Sequence, residues 1–151
     1  MITGLLIDLD GVLRVWDRAI MANAEHRGGL VPGSLARAAF AHDLLLPAIT
    51  GVTTDAEWRT AVAARLAQEY GDAASRAAVQ TWSVPHGAVN AHVLDLVRQA
   101  RQRVRVGLLT NATSRLDGDL AALGLAGEFD VVVNSARVGI AKPTHACSRP
   151  P

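Results

Sequence analysis

The sequence predicts a parallel α/β fold interrupted by a block of helices, and three observations carry that prediction. An apolar run, Leu5-Leu6-Ile7-Asp8-Leu9-Asp10-Gly11, opens the chain and ends in two carboxylates and a glycine. Apolar runs of this kind, closed by a turn signal, read as buried strands of parallel sheets. A long alanine-rich stretch with helical periodicity follows. After it the strand pattern returns twice, at 104–110 and 129–133, around a helix at 113–123. Strand, helix and strand at that spacing make a right-handed crossover unit.

Each element has its own signal. On a strand that runs on to Asp10, residues 8 and 10 share a face, so both carboxylates would emerge at the C-terminal sheet edge, where ligands bind in open α/β folds. Gly11 permits a sharp turn there. Asp17 can cap a helix to His26, ended by Gly28-Gly29, and Ser34 can cap one over 35–41. Leu44-Leu45-Leu46-Pro47 reads as a short apolar piece closed by proline. Thr54-Asp55-Ala56-Glu57 fits a capping box for a helix to Tyr70, with Trp58, Val62, Leu66 and Tyr70 on one face. Further helices are expected over 72–82 and 88–102, the latter turning Val93, Leu94, Leu96 and Val97 inward. The expected core is 1–13 plus 100–151, and the helical insertion is 14–99. Because it follows the carboxylates directly, the insertion is placed to lie over them as a lid.

Composition narrows the class. The chain has 151 residues, a net charge of +1 and a single cysteine, Cys147. No internal disulfide is possible, and nothing marks a nucleic-acid footprint or a membrane partner. A cytoplasmic protein is expected. Arg98, Arg101, Arg103 and Arg105 read as a solvated helix end. The five histidines and Cys147 show no ligand-like spacing, and His145 with Cys147 makes no zinc site.

The chemistry concentrates at strand ends. Two carboxylates on an apolar strand need a cation or donors, which points to a hard metal ion, magnesium above all. The same pattern also fits turn and capping aspartates. Thr110-Asn111 closes the second strand, and Lys142-Pro143 follows the third. Taken singly, Thr110 also fits an ordinary strand end, Asn111 a helix cap and Lys142 a surface charge. Together, a carboxylate pair, a hydroxyl and an amine in one cleft are what phosphoryl transfer requires.

Ile7-Asp8-Leu9-Asp10-Gly11-Val12-Leu13, Leu108-Leu109-Thr110-Asn111 and Gly139-Ile140-Ala141-Lys142-Pro143 resemble, in order, the first three motifs of the haloacid dehalogenase-like (HAD) hydrolases. The resemblance implies a Rossmann-like three-layer core with a helical cap. It also implies Mg2+-dependent hydrolysis of a small phosphorylated metabolite. Asp8 would be the nucleophile that becomes an aspartyl-phosphate, and Asp10 the acid and base. Thr110 and Asn111 would bind the phosphoryl group, Lys142 would balance its charge, and Asp8 with the Asp10 carbonyl would hold the metal. Asp10 favours phosphate esters over haloacids, since the dehalogenating members lack it. Thr53–Trp58 with the later motifs is most similar to glucose-1-phosphate phosphatases and the phosphatase domain of bifunctional epoxide hydrolases.

The family's fourth, acidic motif does not follow Pro143. The expectation is a core incomplete at its C-terminal end and Leu5–Leu9 left as a sheet edge open to self-association; the alternative to an active hydrolase is a catalytically impaired or inactive remnant that keeps a phosphate pocket. The last eight residues are compatible with a shifted reading frame. Every threonine codon starts AC, so one restored G turns the codon of Thr144 into GAC, aspartate, as family members have after Lys-Pro. Sequencing the gene past its stop codon is expected to reveal a frame encoding the acidic motif. A downstream region without one overturns the frameshift.

Overall fold

The computed structural model describes residues 3–143. Within them, β1 (Gly4–Ile7), β4 (Arg105–Thr110) and β5 (Val131–Asn134) form a parallel sheet in the order β1-β4-β5. The register pairs Ile7 with Leu108 and Thr110 with Asn134, which brings the C-terminal strand ends to one rim. The helices α6 (Ala91–Arg101) and α7 (Leu116–Ala122) cover one face. Val97, Leu116 and Leu120 pack there with Leu9, Leu13, Val106 and Leu108 in one buried cluster. This is the parallel α/β architecture that the strand pattern predicts.

A second cluster lies in the helices between. These are α1 (Ala19–Gly28), α2 (Ser34–Ala39), α3 (His42–Ile49), α4 (Asp55–Tyr70) and α5 (Asp72–Ser83). Ala24, Leu35, Ala48, Trp58, Val62, Leu66 and Val79 are its buried members. The capping box of α4 forms as expected: Thr54 accepts from the Glu57 N–H, and the Glu57 carboxylate accepts from the Thr54 N–H. Gly29, in the left-handed region, ends α1. Buried Glu25 accepts from the N–H groups of Gly33 and Leu35, so its charge is satisfied by the first turn of α2. None of the described helices is long and apolar enough to cross a membrane.

Four details depart from the expectations. The strand stops at Ile7, so Asp8 and Asp10 lie in the turn beyond it rather than on its pleat. Pro47 sits inside α3 instead of closing it. Its missing N–H costs one helical bond, and its carbonyl is satisfied by Val52 and Thr53 just past the helix. Leu96 faces out at 50% exposure while Val97 is buried, because one residue is a 100° step around a helix. Finally, the helix expected from residue 88 is preceded by a two-residue strand, β3 (Ala88–Val89), which pairs antiparallel with β2 (Arg14–Val15). This ribbon joins the two ends of the helical segment. Gly51, in the left-handed region at φ 74°, allows a close approach of the two parts: a Cβ there would lie 2.0 Å from the Ala136 carbonyl oxygen of α8 (Ser135–Val138).

Among the described residues β1 is paired on one side only, and Leu6 is 64% exposed. The tail with His145 and Cys147 lies outside the described residues. Replacing Thr54 with Ala removes the cap of α4 and is expected to lower stability by about 1 kcal/mol, read from a urea midpoint. An unchanged midpoint would show that the cap contributes nothing to global stability.

Candidate active site

The end of β1 sets the first carboxylate. Asp8 follows Ile7 directly, and its Oδ1 accepts from the Leu9 N–H at 2.8 Å. Its Oδ2 lies 3.0 Å from the Lys142 Nζ. Lys142 arrives from the loop after α8 and also donates to the Leu109 carbonyl at 2.7 Å. Two bonds hold this loop against the end of β4. Asn111 Nδ2 donates to the Lys142 carbonyl at 2.6 Å, and Asn111 Oδ1 accepts from the Lys142 N–H at 2.7 Å. The structure thus joins Asp8, Asn111 and Lys142, three residues from three chain segments. The polar atoms of the Asn111 amide are engaged in placing Lys142. Thr110 is buried at the end of β4, 1% exposed.

The second carboxylate is set by a turn. Leu9 is fully buried, and its carbonyl accepts from the N–H groups of Val12, Leu13 and Arg14. Gly11, at φ 78°, closes this loop. The chain then doubles back so that Arg14 reaches Asp10. Arg14 Nε donates to Asp10 Oδ1 at 2.7 Å and Arg14 Nη2 to Oδ2 at 2.9 Å, a bidentate pair. The indole N–H of Trp16 donates to Oδ1 at 2.7 Å. Asp10 is therefore fixed in orientation by two neighbours on its own chain segment.

Behind Asp10 lies a network that sequence reading missed. Arg14 Nη1 donates to Asp119 Oδ2 at 2.8 Å, and Arg115 Nε donates to Asp119 Oδ1 at 2.8 Å. His86 Nδ1 lies 2.7 Å from the same Oδ1. Burial alone would push the Asp119 carboxyl up, but the bonds from His86 and Arg14 and the charges of Arg115 and Arg14 outweigh it and hold it below the ordinary carboxylate range. Burial likewise opposes the Arg14 charge, and Asp10 and Asp119 reverse that effect and raise it. The only available signal was the Arg115–Asp119 spacing of four on a helix. Arg14 and Asp119 stand 105 positions apart.

Above this floor is a cleft of about 430 Å3 between the helical segment and the sheet. It reaches from Asp10, Asn111 and Thr113 to Trp58 and Trp82. Its two sides are tied by Thr113, whose hydroxyl donates to Asp55 at 2.8 Å, and by Ser114, which accepts from the Asp55 N–H at 2.9 Å. Asp10 and residues of α1, α3, α4 and α5 thus line the same cleft.

Magnesium takes a near-octahedral set of oxygen ligands. Asp8, half exposed, offers one carboxylate, while the Asp10 carboxylate is engaged by Arg14 and Trp16. Among the described residues no three His, Cys, Asp or Glu side chains come together as a metal group. Asp8 and the Asp10 backbone carbonyl are the groups that would have to hold a magnesium ion here.

Three solved structures illustrate the proteins that share this fold. A HAD-family enzyme from Bacteroides thetaiotaomicron, crystallised with magnesium and inorganic phosphate, superposes with a TM-score of 0.71 at 24% identity, covering 97% of this chain and 75% of its own. A HAD-like family hydrolase from Porphyromonas gingivalis gives a TM-score of 0.66 at 23% identity, over 97% of this chain and 72% of that one. A 2-haloacid dehalogenase from Pseudomonas syringae gives 0.59 at 20% identity, over 97% and 69%. No family model and no curated protein matches the chain. The chain has the HAD fold.

Asp119 generates a pH-dependent contribution. Its pKa in the folded protein lies below the unfolded value of about 3.9. The stabilisation is therefore complete above that value and is lost as pH falls through the folded pKa. Asp119→Asn is expected to cost about 3 kcal/mol at neutral pH by leaving buried cations unpaired, and to match the wild type once acid has protonated Asp119. Urea midpoints at pH 7 and pH 3 test this, and a constant gap between the two proteins would refute it.

Proposed function

We propose that this chain is a phosphate-ester hydrolase that works through Asp8. The observation that carries the reading is the Asp8–Lys142 contact of 3.0 Å at the strand rim, with Asp10 two residues on; Asp10 and Asn111, but not Asp8, Thr110 or Lys142, line the neighbouring cleft. A half-exposed carboxylate oxygen beside an ammonium group can attack phosphorus while the ammonium offsets the charge of the phosphoryl oxygens. In the proposed first step the Asp8 Oδ forms a bond to phosphorus, and the ester oxygen leaves with a proton from protonated Asp10. In the second, Asp10 takes a proton from water, and the hydroxide attacks the aspartyl-phosphate, releasing phosphate and restoring Asp8. Arg14 and Trp16 orient Asp10 for both steps. Asn111 positions Lys142, and Thr110 is the hydroxyl proposed for the phosphoryl oxygens. Magnesium bound at Asp8 and the Asp10 carbonyl would supply electrophilic polarisation of the phosphoryl group.

The fold alone also accommodates dehalogenation. Asp10 favours the phosphoryl reading, because a proton donor and acceptor two residues from the nucleophile serves an alkoxide leaving group and is of no use to a departing halide. A second copy of the chain is a proposed partner through the edge of β1 that is unpaired among the described residues, where Leu5 and Leu6 are exposed.

Hydrolysis of 4-nitrophenyl phosphate with magnesium is the test. Asp8→Asn is expected to lower turnover at least a thousandfold, while inorganic phosphate still binds by calorimetry. Wild-type turnover equal to that of Asp8→Asn would refute the enzyme reading. Phosphate binding without turnover would make the chain a phosphate-binding module.

A further inference from the structure

We propose that the cleft above Asp10 selects phosphate monoesters whose leaving group is uncharged and apolar, an alkyl or aryl chain rather than a sugar or a second anionic group. This rests on the phosphatase reading for the phosphoryl end alone. The apolar part of the lining is built from Met21, Phe40, Leu45, Ile49, Trp58 and Trp82. Trp58 and Trp82 meet edge to face with ring centroids 5.2 Å apart. The indole N–H of Trp58 is already spent on the Ala39 carbonyl at 3.2 Å, so that ring offers the cleft only its apolar surface.

The charges in the lining cancel. Four acids, Asp10, Asp17, Asp55 and Asp119, stand against four arginines, Arg14, Arg18, Arg59 and Arg115. Those that reach into the cleft are paired within the protein. Arg59 donates to Asp55 at 2.7 Å and to the Ser83 hydroxyl at 2.9 Å, and its guanidinium lies 4.4 Å from the centroid of Trp82. Arg115 is divided among Asp119 and the carbonyls of Ser83 and Pro85. Arg14 is shared by Asp10 and Asp119. Asp17 and Arg18 are sequence neighbours, exposed at the rim. A second phosphate or a carboxylate inside the cleft would have to break one of the Arg14, Arg59 or Arg115 pairs to find a cation, and the exposed Arg18 is the other arginine of the lining. A sugar's hydroxyls would lie against aromatic and alkyl surface with few free donors or acceptors, at the cost of their bonds to water. An apolar chain gains by leaving water for this surface.

The chain's three tryptophans, Trp16, Trp58 and Trp82, all line this cleft, so its occupancy is read directly in their emission. The intact protein is titrated, by calorimetry and tryptophan emission, with methylphosphonate, n-hexylphosphonate, 2-carboxyethylphosphonate and n-hexanol. Hexylphosphonate is expected to bind at least tenfold more tightly than methylphosphonate and to shift the emission to shorter wavelength. Carboxyethylphosphonate is expected to bind no more tightly than methylphosphonate. Phe40 is 55% exposed, so Phe40→Ser is compatible with folding, and it is expected to lower the hexyl-to-methyl affinity ratio at least threefold. Hexyl and methyl affinities within threefold of one another, or a tighter carboxyethyl compound, overturn the proposal. An emission shift with hexanol but no binding of any phosphonate would leave the apolar cleft standing and remove the phosphoryl reading. No emission change with either hexyl compound overturns the proposal itself.

Discussion

Arg14 is a guanidinium almost wholly removed from water and shared between two carboxylates, Asp10 and Asp119, that come from opposite ends of the chain. A buried cation is tolerable only when its donors are met, and here each partner is met in turn by a further group. Asp119 is compensated by Arg115 and His86, and Asp10 by Trp16. The geometry of the site follows from this. Asp10 is held where it is because Arg14 cannot be left without it, and Arg14 stays because α7 presents Asp119 from below. The orientation of the Asp10 carboxylate is thus set by an electrostatic requirement that reaches into the core.

A second constraint acts on the other carboxylate. Lys142 could reach many places on four methylene groups. The two-bond clamp between Asn111 and the Lys142 backbone, with the Leu109 carbonyl holding the ammonium, restricts it to the side of Asp8. The rim of the sheet is therefore rigid where charge has to be placed, and the cleft above it is lined by rings and alkyl chains. Polar positioning lies below, and apolar enclosure lies above.

The parallel sheet, the α4 cap and the place of Asp8 were legible because each has a local signature: an apolar run, a Thr-x-x-Glu box, a charged residue just past a strand. The role of Asn111 was half legible. Its place was clear from the strand end, but its engagement with a backbone 31 residues away was not. The network of Arg14, His86, Arg115 and Asp119 was opaque. Those residues look like ordinary surface charges in sequence, and only the turn through Gly11 and the crossing of the ribbon bring them together. The ribbon itself, two residues on each strand, is too short for any alternation to show. Pro47 misled because proline usually ends a helix, whereas here the lost bond is one of few in a short helix.

The β2–β3 ribbon has a consequence for how such a chain can change. Arg14 pairs with Val89 and Val15 with Ala88, so everything from Trp16 to Gly87 forms one excursion whose two ends touch. The entropy of closing such an excursion grows only with the logarithm of its length. The sheet therefore registers almost nothing of how many residues lie beyond the ribbon. Helices there can be lengthened, exchanged or trimmed at little cost to the strand rim that carries Asp8 and Lys142. The apolar wall of the cleft and the strand rim are free to evolve at different rates.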